Sequence, residues 1–173
     1  MPLRPYVLRT FINSSPDQKT FEEQILNYDA IIFGGGNTLN MLAIWKAQGI
    51  DTVLRKAYDE GIVLAGGSAG SLCWFTGGYS DSRPKQLSIV YGLGFLNFSH
   101  CPHYHSEPDK KPLYQQAILE GKLKEGYACE LPNFSCVVHS TNTYLSPFSK
   151  NESGAPLLVF SFATTEPGAP INL

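Results

Sequence analysis

Long apolar runs are missing from this chain, and so is any excess of charge. No stretch of its 173 residues approaches the ~20 consecutive apolar positions that span a bilayer, so no membrane partner is expected. The opening residues, from Met1 to Tyr6, lead into no extended apolar segment of the kind a secretory signal carries. Lys and Arg number 13 against 15 Asp and Glu, a formal net charge of -2, with no basic block. The electrostatic footprint of a nucleic-acid binder is therefore absent. Cysteine is sparse too. Cys73, Cys101, Cys129 and Cys136 form no CxxC pair and no zinc-finger spacing, which points to free thiols in a reducing compartment, the cytoplasm. What remains, 43% hydrophobic and 16% charged residues without repeats or low-complexity tracts, suits a compact globule with one core. A single domain over residues 1–173 is expected.

Two short apolar runs, each broken by glycine, organise the first half. Ala30-Ile31-Ile32-Phe33 stops at Gly34-Gly35-Gly36, and Ile62-Val63-Leu64-Ala65 stops at Gly66-Gly67. A run without alternation reads as a strand buried on both faces, as in a parallel sheet. Between them Leu39–Gln48 and Asp51–Glu60 read as helices, each ended by a glycine. Upstream, Tyr6–Phe11 is a short β-prone run, and Ser15-Pro16-Asp17-Gln18 has the spacing of a helix start. A further helix is expected from Ser68 or Ala69 to about Phe75. Beyond residue 77 the pattern loosens, with a helix over Lys111–Glu120 and short strands at Tyr127–Glu130, Cys136–His139 and Leu157–Phe162. Strand, glycine loop and helix in alternation predict an α/β fold: a mostly parallel open sheet with helices on both faces.

Gly66-Gly67-Ser68-Ala69-Gly70 matches G-x-S-x-G directly after a strand. Such a turn is too sharp for large neighbours, and small residues let the serine oxygen stand above the carboxyl ends of the strands, where open sheets bind ligands. The N–H of Ala69 opens a helix and is free to stabilise an oxyanion. A glycine-rich turn with a capping serine is the plainer alternative. Gly34-Gly35-Gly36-Asn37 lacks the lysine of a P-loop and the full GxGxxG, and fits better as a second source of oxyanion-binding amides.

A nucleophilic serine needs a base. Three of the four histidines lie in Ser99-His100-Cys101-Pro102-His103-Tyr104-His105, where Pro102 stiffens the chain ahead of His103. Cys101, His103 and His105 alternate on one face of an extended segment, so a metal site competes with the base, as does a solvated loop. For the acid that orients a base, Asp81, Glu107, Asp109 and Glu130 are candidates that spacing does not separate. Asp81 lies in the segment Gly77-Gly78-Tyr79-Ser80-Asp81-Ser82, read as a loop just after the elbow helix.

Taken together, Gly34-Gly35-Gly36-Asn37-Thr38, Gly67-Ser68-Ala69-Gly70 and Cys101-Pro102-His103-Tyr104, with Gly-Gly-Tyr-Ser-Asp-Ser between the last two, resemble the peptidase E family of serine peptidases. That family includes aspartyl dipeptidases and has cyanophycinases as relatives. The resemblance implies a class I glutamine amidotransferase-like fold with serine in place of cysteine. It implies Ser68 as nucleophile, His103 as base, Asp81 as acid, and the amides of Gly36 and Ala69 as oxyanion hole. Asn37, Lys110 and Glu130 are the implied contacts to a small peptide substrate, Glu130 also having a claim as the orienting acid. No metal or organic cofactor is implied. Two departures stand out. The family carries a strand–helix–strand unit ahead of anything like Tyr6–Phe11, where this chain has only a few residues, so unpaired strand edges favouring a homo-oligomer are expected. Where the family places an arginine soon after the histidine, this chain has Lys110 and Lys111, point charges rather than bidentate forks. The function expected is hydrolysis of short peptides, including dipeptides with an N-terminal aspartate, through an acyl-enzyme. The alternatives are an inactive binding or assembly module, an esterase with the same elbow, and a metal-dependent hydrolase on Cys101, His103 and His105.

Overall fold

The computed structural model describes residues 4–10 and 19–129, with five short strand segments beyond them (136–138, 143–145, 149–150, 156–157 and 160–162). Residues 6–10 form no strand, contrary to the expectation for Tyr6–Phe11. Ser15, Pro16 and Gln18 lie outside the described residues. Helix α1 (Phe21–Ile25) is started instead by a capping box that the sequence reading passed over: Glu23 N–H donates to Thr20 Oγ1, and Thr20 N–H donates back to Glu23 Oε2 at 2.8 Å.

Strand β1 (Ala30–Phe33) follows, then α2 (Thr38–Ala47), α3 (Ile50–Asp59), β2 (Val63–Gly66) and the single turn α4 (Ala69–Leu72). In α3, Ile50, Leu54 and Ala57 stand one above another and are buried, the amphipathic stripe that docks the helix. With Ile25, Trp45, Leu64, Trp74 and Phe75 they form the main core. β1 and β2 pair in parallel, with Ala30 opposite Val63 and Phe33 opposite Gly66, so both glycine loops leave from the same end. β2 is mostly buried, but β1 is not: Ile31 and Phe33 pack on the core while Ile32 is 68% exposed. The expectation that β1 is covered on both faces is thus corrected. Among the described residues β1 is the edge of its sheet.

The second half is richer in strands than expected. β3 (Phe75–Arg83) and β4 (Gln86–Val90) form a hairpin, β5 (Leu96–Pro102) leads into the histidine segment, and α5 (Lys110–Leu119) precedes β6 (Gly126–Cys129). Neither an α4 reaching Phe75 nor a loop around Asp81 is found, since the chain is extended from Phe75 onward. β3, β5 and β6 are parallel neighbours, and β4 is antiparallel on the outside of β3. β7 (Cys136–Val138) is antiparallel to β2. Beyond it β8 (Thr143–Leu145) pairs with β11 (Phe160–Phe162), and β9 (Ser149–Lys150) with β10 (Pro156–Leu157). The fold is α/β with mostly parallel main sheets. Among the described residues its principal strands fall into a three-stranded and a four-stranded sheet rather than one ladder. A second core, Cys101, Tyr114, Ala117 and Leu123, joins α5 to the four-stranded sheet.

Candidate active site

Ser68 sits where β2 turns into α4, with φ 54° and ψ -116°. A positive φ is costly for a residue with a Cβ and persists only where its surroundings hold it. Those surroundings are glycine by necessity. A Cβ on Gly66 would overlap the Gly70 carbonyl, and one on Gly70 would overlap the Phe33 carbonyl of β1. Gly67 N–H donates to that same Phe33 oxygen at 3.2 Å, tying the bend to the neighbouring strand. The first glycine loop lies against the serine as well: a Cβ on Gly35 would stand 3.2 Å from Ser68 Cβ. Gly36 follows with φ 137°, a conformation open to glycine, and borders open space. On the other side of the serine, Ala69 is the first helical residue and has no helical carbonyl behind it for its N–H.

β5 ends at Pro102, and His103 turns the chain with φ 60°. That turn ends the extended geometry on which the Cys101–His103–His105 alternation depended. Cys101 is buried in the second core, whereas His103 Nε2 comes to 2.9 Å from Ser68 Oγ. Among the described residues no group of three His, Cys, Asp or Glu side chains is disposed to hold a metal ion. Ser68 and His103 are both partly exposed, so a ligand can reach the pair. An imidazole at that distance with a free lone pair on Nε2 can accept the hydroxyl proton.

Asp81 does not join them. It lies on β3, exposed, and among the described residues no carboxylate hydrogen-bonds His103. The reason is strand alternation. Ser80 and Ser82, on the other face, turn to the start of α2: Ser82 Oγ accepts from Thr38 N–H at 2.9 Å and bonds Ser80 Oγ at 2.8 Å. Asn37 also serves this junction. Its side chain caps α2 by accepting from Asn40 N–H at 3.0 Å, and its Nδ2 donates to the Ser82 carbonyl at 2.8 Å. Lys110 is no solvent-facing cation: its side chain is 3% exposed and its Nζ donates to Glu107 Oε1 at 2.9 Å. Glu130 and His139 lie outside the described residues.

The sequence reading missed a buried polar chain behind the serine. Ser71 Oγ donates to the Ser68 carbonyl at 2.7 Å and lies 3.1 Å from His100 Nε2, while His100 Nδ1 faces the Tyr127 carbonyl at 3.0 Å. Complete burial pushes the His100 imidazole down to about 4; the Tyr127 hydrogen bond opposes this, and the charge of Lys110, with that of His103 whenever it carries a second proton, acts the same way as burial. The signal for it was a histidine three residues before His103 in a stretch whose strand character had not been read.

Comparison with known proteins agrees with the motif resemblance. The model of peptidase family S51 matches residues 7–142. The chain belongs to peptidase family S51, the peptidase E family. An "uncharacterized peptidase" of Bacillus subtilis (strain 168), YgaJ, is 40% identical over 151 residues, covering 87% of this chain. The chain spans 63% of the length of that relative. No helix among the described residues is long and apolar enough to cross a membrane.

Proposed function

We propose that this chain is a serine peptidase that cleaves short peptides through an acyl-enzyme. Ser68 Oγ attacks the scissile carbonyl carbon as His103 Nε2 takes its proton. The negative oxygen of the tetrahedral intermediate is held by the amides of Gly36 and Ala69. Collapse breaks the C–N bond, His103 returns the proton to the leaving amine, and water activated by the same imidazole releases the acid. The observation that carries the reading is the 2.9 Å contact between His103 and a serine on a strained strand-to-helix bend. Membership of a peptidase family supports it. Lys110, buried and paired with Glu107, is not free to anchor an aspartyl side chain, and the substrates are short peptides as a class. Cytoplasmic residence belongs to the same proposal, resting on cysteines that form no CxxC pair and no zinc-finger spacing.

One observation favours the rival reading of an inactive binding module: the absence of a carboxylate on His103 among the described residues. Reaction with a fluorophosphonate, followed by intact mass and peptide mapping, separates the two. One phosphonyl group on Ser68 in wild type, and none in Ser68→Ala, is expected. A folded wild-type chain that never labels would overturn the peptidase reading.

A further inference from the structure

We infer that Ser71 and His100 are positioning residues that aim the Ala69 amide into the oxyanion site; the inference rests on the reading of Ser68 as nucleophile. A peptide group is planar and trans, so its C=O and N–H point in opposite directions. The carbonyl of Ser68 and the N–H of Ala69 belong to one such group, and whatever holds the former orients the latter. Three donors converge on the Ser68 oxygen: Ser71 N–H at 3.1 Å, Leu72 N–H at 3.0 Å and Ser71 Oγ at 2.7 Å. The two amides come with the helical turn. The hydroxyl is an addition, and the shortest of the three.

His100 fixes where that hydroxyl stands. Its ring stacks on Phe75 with centroids 4.5 Å apart and planes 17° from parallel. The Tyr127 carbonyl accepts only, so Nδ1 carries the proton that bonds it, and in the neutral ring Nε2 is an acceptor. The single Ser71 proton thus lies between two acceptors, the Ser68 carbonyl and Nε2, which confine the hydroxyl to the wedge between them. Ser71 and His100 are both buried, at 0% and 1% exposure, so water does not supply a substitute. The geometry gives β5 two holds on the bend. His103, past its end, meets the Ser68 hydroxyl from the open side, and His100, within it, meets the Ser71 hydroxyl that donates to the Ser68 carbonyl.

Ser71→Ala alone strands a buried Nε2 acceptor and invites misfolding, so the informative variant removes both partners together. In Ser71→Ala/His100→Leu the pair is replaced by apolar groups, and thermal unfolding checks that the fold survives. The second-order rate constant of fluorophosphonate labelling at Ser68 is expected to fall about tenfold, short of the 10²–10³-fold loss that deleting an oxyanion donor causes. The Ala69 amide resonance in a ¹⁵N–¹H spectrum is expected to shift, with its proton exchanging faster. A folded double variant that labels at the wild-type rate, or leaves the Ala69 resonance in place, overturns the inference and leaves the nucleophile reading standing. A wild-type chain that does not label overturns both.

Discussion

The β1–β2 side of the molecule and the β3–β5 side bury different kinds of residue around the same serine. On the first, apolar volume fills the space: Leu64 of β2 against Trp45, Ile50, Leu54 and Ala57 of the helices. On the second, strands close on one another with little side chain between. Ser80, Ser99 and His100 are buried there, a Cβ on Gly78 would overlap the His100 carbonyl, and one on Gly126 would overlap the Ser99 carbonyl. Hydrogen bonds then satisfy what burial takes from water, as where Ser99 Oγ meets the Tyr114 hydroxyl at 2.7 Å. The bend at Ser68 is sterically framed by glycines on the first side and held by polar contacts from the second. The two sides should therefore fail in different ways.

The sharpest contrast is an added methyl group. Gly78→Ala drives a Cβ into backbone of β5, which cannot retreat without breaking the sheet, and a loss of more than about 3 kcal/mol is expected. Gly34→Ala places the same methyl in open space, with nothing within 4 Å, and should cost less than about 1 kcal/mol. Urea unfolding of the two variants measures the difference. Equal losses would break the comparison.

Acid comes next, and it should act on the polar side alone. His100 is held neutral by burial, its folded value near 4 against an ordinary 6.5. The unfolded chain binds the proton more readily in that interval, so stability is complete above about 6.5 and falls as the pH drops toward 4. The loss attributable to this imidazole is about 3 kcal/mol. Ser71→Ala/His100→Leu should be flatter between pH 7 and pH 4.5 by about 2 kcal/mol, the part of that loss reached by pH 4.5, read from urea midpoints at the two pH values. Parallel pH profiles of wild type and double variant would mean that His100 is not buried neutral.

A smaller effect is expected where the two sides join. Ser82 Oγ accepts from Thr38 N–H, and Thr38 is almost wholly buried, so Ser82→Ala leaves a donor unpaired at the start of α2. A loss of about 1–2 kcal/mol is expected in urea unfolding, and Ser82→Thr, which keeps the hydroxyl, should recover part of it. Full stability in Ser82→Ala would show that the junction does not depend on this contact.

The same contrast explains what the residues disclosed. β1, β2, α2 and α3 were legible because apolar runs and glycine stops mark them directly, and the bend at Ser68 because its neighbours must be small. β3 and β5 were not. Phe75–Arg83 and Leu96–Pro102 bury serine, glycine and histidine, residue types that in isolation read as loop. Their glycines mark close approach of backbones, a property of the partner strand and not of local sequence. The meeting of Ser68 with His103 could be expected from the ordered motifs, but its bracing by Ser71 and His100 could not. Ser71 stands only three positions after Ser68, yet the hydroxyl's role depends on a residue 29 positions further along the chain.

Asp81 gives the finest test, because it shares a strand with Ser80 and Ser82 and differs from them only in the face it occupies. The resemblance to peptidase E made it the orienting acid; in the structure it points outward and no hydrogen bond ties it to His103. A solvated carboxylate without a fixed partner contributes within about 0.5 kcal/mol, which is about a twofold change in rate. Asp81→Asn should then unfold at the wild-type urea midpoint and react with a fluorophosphonate within about twofold of wild type. A tenfold slower reaction with unchanged stability would have a definite meaning. It would show that the Asp81 carboxylate acts on the Ser68–His103 pair in the reacting state, although no hydrogen bond joins it to His103 here.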